Sequence, residues 1–275
     1  MNEAVVRELW TYPVKGCQGV PADSIEITKM GVTGDRAFVL WQDGQLVDQI
    51  ETPQVASLAV GFDRETRTLR FEHATRGSYE LVVRERGDAR DTKWILDEFQ
   101  TIDQGDEVAE WLSTTLDKEV RLVSPGEPWK INFPIPQMQL VHQEPKQSFY
   151  SASPVSLANR ASLEDLNARL ERPVGMDRFR MNVIVDGLDA FAEDETVCLR
   201  GASVELLNIT PAERCVIITT DQQTGARPKS DLLKVLGSYR RKKKEDRFGS
   251  GITFGLYMGV RQEGTLRVGD RFEVV

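Results

Sequence analysis

The sequence is short of the residues that build the most common metal and hydrolytic centres. Its 275 residues include two histidines and three cysteines, too few and too far apart for a zinc site or a four-cysteine iron–sulfur centre. The two histidines, His73 and His142, also give no convincing Ser-His-Asp arrangement. A redox role would therefore require electrons from another protein.

Long apolar runs and an excess of positive charge are also missing. No apolar stretch approaches the roughly 20 residues of a membrane-spanning helix, and Met1 to Ala4 lack the basic and apolar regions of a signal peptide. The net charge of −8 argues against a nucleic-acid-binding role. The odd number of cysteines, at unrelated spacings, predicts no disulfide framework. We therefore predict a cytoplasmic protein.

The sequence does contain a succession of short strand patterns. Residues 4–14, 24–28 and 58–71 alternate or are rich in β-branched residues, and Asp43-Gly44 marks a hairpin between residues 38–42 and 46–47. Strands at this spacing without intervening helices predict a small barrel or sandwich. The predicted fold class is mainly β with a few helices (α+β).

Three helices interrupt this pattern. Asp103 is predicted to cap a helix that extends to Leu116, and Ser162 to begin a short helix that ends near Leu170. Ser230 is predicted to cap a third helix. Residues 124–150 are rich in proline, glutamine and aromatics without a period, which predicts a long loop between two domains.

The clearest chemical signal lies between Thr210 and Asp221. Cys215 follows Arg214 and opens a β-branched run, so we predict that Cys215 begins a strand at 216–220. A neighbouring guanidinium favours the thiolate, which is both a metal ligand and a nucleophile. A second interpretation stays open and is favoured by local chemistry alone: a small buried residue within a strand.

Five blocks of sequence, in order along the chain, resemble a known family. Arg214-Cys215, Thr219-Thr220-Asp221 and Thr224-Gly225 resemble the signature of the MOSC domain, known from molybdenum-cofactor sulfurases and amidoxime-reducing molybdoenzymes. Tyr12-Pro13-Val14-Lys15, followed by Gly34-Asp35-Arg36, resembles the N-terminal β-barrel domain that precedes MOSC in the mitochondrial amidoxime reducing component and its bacterial relatives. The remaining blocks follow in the family's order and comprise residues 161–167, 179–182, and 254–257 with 264–270.

The resemblance implies two domains and one cofactor. The N-terminal β-barrel-like domain would span residues 1–120 and the MOSC β-barrel domain residues 121–275. Molybdenum cofactor (molybdenum bound to molybdopterin) would bind with Cys215 as metal ligand and catalytic residue. By the same resemblance, the cofactor-binding residues would be Lys15, Gly16, Arg36, Ser153, Arg180, Asn182, Arg214 and Tyr257. Asp221 is implied as a second catalytic residue, and its interpretation as a turn residue is equally open.

Three positions depart from the pattern of the family. Gly16 stands where relatives often have serine after the lysine, so one side-chain hydrogen bond to a phosphate would be missing. Glu213 places an acid beside the presumed anion, where a small residue is common. Met181 replaces a small residue or proline between Arg180 and Asn182.

The implied activity is the two-electron reduction of N-hydroxylated substrates such as hydroxylamines, amidoximes and N-hydroxylated bases. The electrons would come from a separate donor: a flavoprotein, a ferredoxin or a cytochrome b5-like protein. Two alternatives stay open. Cys215 could carry sulfur as a persulfide, or the protein could bind molybdenum cofactor and hand it on without catalysis.

Overall fold

The structure is a computed structural model, and it describes residues 3–94, 97–129, 145–242 and 251–275. Strands predominate and close into barrels, which confirms the predicted fold class. Most of the predicted loop at 124–150 lies outside the described residues, as does His142.

The strands are numbered β1 to β19 in chain order. They span Glu3–Thr11, Val20–Ala22, Ser24–Thr28, Gly31–Val32, Val39–Gln42, Gln45–Val47, Ala59–Asp63, Thr68–His73, Gly77–Val82, Ala89–Trp94, Asp97–Asp103, Arg121–Pro125, Val155–Asn159, Val183–Asp186, Cys198–Arg200, Glu205–Arg214, Ile252–Gln262, Gly264–Arg267 and Arg271–Val274. The α-helices within the described ranges are α1 (Asp106–Leu116), α2 (Arg160–Asn167) and α3 (Leu232–Tyr239). The short 3-10 helices there are Pro53–Ser57, Met176–Phe179, Ala192–Glu195 and Val216–Thr219.

Two closed arrangements of strands organise the chain. The larger sheet has the order β14-β13-β17-β16-β15-β19-β1-β2, and pairing of β14 with β1 closes it. A smaller barrel has the order β10-β11-β12-β5-β6. Closure pairs strand edges that would otherwise be open to other chains. The two ends of the chain therefore meet in one sheet, because β1 lies between β19 and β14.

Strand pairing also joins segments that are distant in the sequence within each of the two barrels. β1 joins strands from the C-terminal part of the chain, whereas β12, at residues 121–125, completes the smaller barrel by pairing with β11 and β5. The boundary after residue 120 stays a prediction. A site between the barrels can thus take residues from distant parts of the sequence.

The start of α1 differs from its prediction. Gly105, at φ 112°, is the residue at the N-cap, and Asp103 ends β11 instead. The Asp103 carboxylate accepts hydrogen bonds from the backbone of Gly105 at 2.8 Å and from Arg90 Nε at 2.8 Å, and it also pairs with Arg121. The carboxylate that was predicted to cap the helix is thus bound by Arg90 and Arg121.

The start of α2 also differs. The helix begins at Arg160, and its N-cap is Asn159, whose side chain accepts a hydrogen bond from Ala161 N. Ser162 Oγ instead donates to the buried carboxylate of Glu193 at 2.6 Å. A buried carboxylate is costly without hydrogen-bond donors. Ser162 therefore bonds to Glu193 and does not cap the helix that it was predicted to begin.

The predicted strand at 216–220 is wrong. β16 ends at Arg214, Cys215 is extended (φ −114°, ψ −170°), and Val216–Thr219 forms a 3-10 helix. Ile218 is buried in a cluster with Leu232, Leu236 and Phe254. This packing outweighs the strand preference of β-branched residues, which depends strongly on context. Cys215 therefore lies at the end of a strand.

The buried face of α1 gives a test of the smaller barrel's core. Leu112 is fully buried there, so Leu112→Ala should lower the free energy of unfolding by about 2–5 kcal/mol through lost burial and a residual cavity. Urea denaturation followed by circular dichroism measures the change. Glu110→Ala is the matched control, because Glu110 is exposed on the same helix. Equal midpoints for the two variants would contradict the packing described here.

Candidate functional site

A cleft of about 260 Å³ lies at the end of β16, and residues 48–50, which follow β6 of the smaller barrel, also line it. Nine of the ten site residues predicted from the sequence line it: Lys15, Gly16, Arg36, Ser153, Arg180, Asn182, Arg214, Cys215 and Tyr257. The tenth, Asp221, lies outside the lining. Residues far apart in the sequence thus converge on one space.

Cys215 is exposed at this cleft, so the interpretation as a buried strand residue is wrong. All three cysteines are among the described residues, and the other two are buried. Burial raises the pKa of Cys17 to about 12 and that of Cys198 to about 11. Both therefore remain protonated thiols at neutral pH, and Cys215 is the cysteine that a ligand in the cleft can reach.

The ring of Tyr12 holds two arginines of the cleft. The guanidinium carbon of Arg36 lies 4.6 Å from the ring centroid and that of Arg180 lies 4.5 Å from it. Tyr12 is buried, and its hydroxyl donates to the carbonyl of Met181 at 3.2 Å. Removal from water raises the pKa of Tyr12 above its usual value. A neutral ring can therefore bind both cations through its π face.

Both arginines also have a left-handed backbone, with φ of 50° at Arg36 and 55° at Arg180. Such a conformation costs about 1–3 kcal/mol in a residue that is not glycine, and it persists where the surroundings fix it. Arg36 N donates to Tyr12 O at 2.7 Å, and Arg36 Nη2 donates to Arg180 O at 3.0 Å. The two strained residues therefore hold one another in place.

Arg180 has one buried donor without a partner. Its Nη1 donates to the carbonyl of Cys17 at 2.7 Å and to Gln222 Oε1 at 2.8 Å, while Nη2 is buried and makes no hydrogen bond within the part of the chain that the structure describes. Burial lowers the pKa of Arg180 to about 10. A buried donor left unpaired is costly, so the arrangement suits an acceptor supplied by a ligand.

Arg214 and Lys15 complete the set of cations. Arg214 donates to the carbonyls of Phe254 at 2.9 Å and Phe179 at 3.1 Å, and burial lowers its pKa. Lys15 Nζ donates to Ser151 Oγ at 2.7 Å. Among the described residues no carboxylate forms an ion pair with Lys15, Arg180 or Arg214. The cleft of an acidic protein thus contains cations whose charge an anion could neutralise.

The polar atoms of Asn182 and Ser153 are used within the protein. Asn182 Oδ1 accepts from Ser156 Oγ at 2.9 Å, and its amide nitrogen donates to the carbonyl of Trp10. Ser153 Oγ lies 2.6 Å from the carbonyl oxygens of Val155 and Met258. These hydrogen bonds fix the part of the cleft lining that Asn182 and Ser153 form. Their role in binding a ligand stays a prediction.

Gly16 and Tyr257 also lie in the wall of the cleft. Gly16 has φ 91°, and a Cβ there would lie 3.0 Å from Val55 Cγ1, which disfavours a serine in this backbone. The Tyr257 hydroxyl lies 3.5 Å from the carbonyl of Glu213. Glu213 is exposed on the same wall, so the acid noted in the sequence does face the cleft.

Asp221 lies in a turn outside the lining of the cleft. Its Oδ1 accepts from the backbone of Gln223 and Thr224, at 3.1 and 3.0 Å, and from the Thr224 hydroxyl at 2.9 Å. Burial opposes ionisation, but these hydrogen bonds and Arg178 outweigh it and hold the pKa of Asp221 below its usual value. Its Oδ2 pairs with Arg178 at 3.1 Å. A catalytic role for Asp221 stays a prediction.

Three residues that shape the site carry weak or no signals in the sequence and were not predicted. Arg178 lines the cleft, and its position two residues before Arg180 was an available signal. Gln49 and Gln222 form a reciprocal amide pair, with nitrogen–oxygen distances of 2.9 and 3.0 Å. Nothing local marks two glutamines 173 residues apart as partners. The pair orients Gln222 Oε1, which accepts a hydrogen bond from Arg180 Nη1.

Comparison with known proteins gives a consistent result along the chain. Residues 3–119 match the model of the MOSC N-terminal β-barrel domain, and residues 144–273 match that of the MOSC domain. The chain is 30% identical to mitochondrial amidoxime reducing component 2 of Bos taurus and to component 1 of Homo sapiens, covering 96% of this chain and 81% of each relative. With component 2 of Macaca fascicularis the identity is 32%, covering 96% and 82%. None of the described helices is both long and apolar enough to span a membrane.

Anion binding in the cleft should depend on the charge of Lys15. Burial, with a smaller effect of Arg36, lowers the pKa of Lys15 to about 8. The ammonium is therefore present at pH 7 and largely lost at pH 9, whereas sulfate keeps its charge over this range. Sulfate affinity measured by calorimetry should fall about three- to tenfold from pH 7 to pH 9.

The matched variants are Lys15→Met and Lys234→Met. Lys15→Met should bind sulfate more weakly than wild type at pH 7. Its sulfate affinity should not show the fall that Lys15 causes between pH 7 and pH 9, because the titrating amine is gone. The second removes an exposed lysine of α3 outside the cleft lining and should behave as wild type. An unchanged pH dependence in Lys15→Met would contradict the assignment.

Proposed function

The chain belongs to the MOSC family, in the group that carries the MOSC N-terminal β-barrel domain, and we propose that it is a molybdenum-cofactor-binding oxidoreductase that reduces N-hydroxylated substrates. The proposed substrates are hydroxylamines, amidoximes and N-hydroxylated bases. The names of the relatives, amidoxime reducing components, support an N-reductive role.

One observation carries this proposal. The exposed thiol of Cys215 lies in a cleft with cations that have no carboxylate partner in the described part of the protein. Thiolates are soft ligands for metals, and arginine and lysine bind phosphate. Molybdopterin combines both requirements, because it presents a metal at one end and a phosphate at the other.

The residues present fit this group. Cys215 would hold the metal, while Lys15, Arg36, Arg180 and Arg214 would hold the anionic part. The unpaired Nη2 of Arg180 is a donor ready for a phosphate oxygen. When bound, the cofactor would supply two-electron chemistry at the metal, which this protein cannot supply alone.

The protein's own contribution is positioning. Contact with Tyr12 holds the guanidinium groups of Arg36 and Arg180 in place before any ligand binds, so little side-chain entropy is lost on binding. The pair of Gln49 and Gln222 fixes the oxygen that orients Arg180. The overall reaction takes two electrons and two protons per N–OH group and releases an amine-type nitrogen and water.

The electrons would come from a separate protein: a flavoprotein, a ferredoxin or a cytochrome b5-like donor. This part of the proposal follows from the scarcity of internal redox centres in the sequence together with the proposed reaction. The cytoplasmic location predicted from the sequence remains part of the proposal, whereas the relatives named above are called mitochondrial.

Cys215→Ala is the first test of the proposed function. Wild-type protein made in a host that synthesises the cofactor should contain nearly one molybdenum per chain. The variant should lose at least 100-fold in reduction of benzamidoxime with an artificial electron donor, because the metal lacks its protein ligand. Elemental analysis and product quantification measure the two effects. Cys198→Ala is the control, since Cys198 lies outside the cleft.

Two results of this experiment would favour other functions. Wild-type protein without molybdenum but with an additional sulfur atom on Cys215, detected by mass spectrometry, would favour a persulfide carrier. Tight cofactor binding without turnover under any reductant would favour a cofactor carrier. Reduction by loaded Cys215→Ala at the wild-type rate would contradict the proposed role of this residue.

Substitutions of Tyr12 test the positioning of the arginines. Tyr12→Leu removes the aromatic ring that both Arg36 and Arg180 contact, so sulfate affinity and molybdenum content should both fall, each about three- to tenfold. Tyr12→Phe keeps the ring and loses the hydrogen bond to the Met181 carbonyl. It should stay within about twofold of wild type in both measurements. Equal losses in the two variants would contradict a role for the ring.

A further inference from the structure

One exposed apolar side chain of the cleft has no role in the function proposed above. Ile50 is 48% exposed. Six large apolar residues of the described chain are this exposed or nearly so, and Ile50 is the one among them that lines the cleft of Cys215. An exposed isoleucine beside a binding cleft is a candidate ligand contact.

The rim loop, residues 48–52, carries Ile50 and is held firmly. Asp48 Oδ1 accepts from Ile50 N at 2.7 Å, and Thr52 N donates to Asp48 O at 3.0 Å. Arg227 donates to the carbonyls of Gln49 and Ile50, the latter at 3.0 Å. The isoleucine therefore keeps its position although its side chain faces solvent.

A second anchor fixes the same loop. The Gln49 side chain is buried, donates to the carbonyl of Gly16 and pairs with Gln222. Gly225, in the turn that follows Gln222, approaches the 3-10 helix next to the loop so closely that an added Cβ would lie 2.7 Å from Gln54 Cα. The loop and this turn thus pack together as a fixed rim.

Ile50 can make only apolar contacts with a ligand, because its backbone polar groups are already hydrogen-bonded within the protein. Its backbone nitrogen is bonded to Asp48 and its carbonyl to Arg227. Ile217, on the 3-10 helix that follows Cys215, lines the cleft as a second isoleucine and is half-buried. The lining of the cleft therefore includes apolar side chains, Ile50 and Ile217, as well as cations such as Arg180.

We propose that Ile50 and Ile217 form an apolar wall for the organic body of the substrate. The protein would then prefer N-hydroxylated compounds that carry an aromatic or branched alkyl group over small hydrophilic ones such as hydroxylamine itself. This inference rests on the proposed function and adds the substrate class and a specificity-determining residue. The cations of the cleft would bind the anionic end of the cofactor, which leaves the apolar wall for the substrate.

The test compares Ile50→Ser with Ile50→Leu in the molybdenum-loaded protein. The KM for benzamidoxime should rise about tenfold in the serine variant, equivalent to about 1.4 kcal/mol of lost contact, with kcat within twofold. The leucine variant should resemble wild type. The kcat/KM for hydroxylamine should not change in either variant, because this substrate has no body to contact the wall.

A binding measurement keeps the inference separate from the proposed function. Calorimetry with benzamidoxime, on loaded protein without reductant, should show Kd about tenfold higher in Ile50→Ser than in wild type. If this difference is found although no variant reduces any substrate, the apolar wall stands and the proposed function fails. If both compounds are reduced and the affinity for benzamidoxime does not change, the wall is wrong and the proposed function stands.

Two other occupants of the wall are distinguished by the same variants. A loss of molybdenum from Ile50→Ser would assign the isoleucine to the cofactor and overturn the proposal. A higher KM for the protein electron donor, with unchanged KM for benzamidoxime, would assign Ile50 to donor docking and also overturn it. Val82→Ser controls for general surface effects, since Val82 is 68% exposed outside the cleft lining.

Discussion

The stacking of two guanidinium groups on one buried tyrosine ring is the interaction on which the cleft depends. Two like charges so close together repel one another, and both residues also have a strained backbone. The ring attracts both cations, and hydrogen bonds from each to backbone carbonyls hold their orientation. Arg36 also pairs with the buried carboxylate of Asp35, whereas Arg180 forms no ion pair with a carboxylate among the described residues, so the charge of Arg180 stays available to an anionic ligand.

The protein's overall charge makes this arrangement more informative. The chain carries eight more acidic than basic residues, yet three cations of the cleft pair with none of the acids in the described ranges. Neutral partners hold them instead: backbone carbonyls, a serine hydroxyl and the oxygen of Gln222. Neutral acceptors orient a cation without cancelling its charge, which leaves that charge available to a ligand.

The extent to which the sequence predicted the site depended on the kind of contact. Residues within the blocks that resemble the MOSC family, such as Lys15 and Arg180, do line one cleft, and their role in binding a cofactor stays a prediction. Residues that act through long-range hydrogen bonds, such as Gln49 and Arg227, carried no local signal. Local structure near Cys215 was predicted wrongly, because burial of Ile218 against α3 decides the 3-10 helix there.

The sequence by itself determined the fold class, the family and the residue types available for chemistry: a cysteine after an arginine, and basic residues in motifs that follow the family's order. It did not determine that Cys215 is exposed, because the local pattern also fits a buried strand residue. Only the tertiary structure decided how these parts meet. Pairing of β1 with β14 brings the first motif beside the last third of the chain, and Tyr12 then lies between two arginines 144 residues apart. Such proximity depends on closure of the larger barrel, a property of strand pairing along the entire chain that no local pattern of residues encodes.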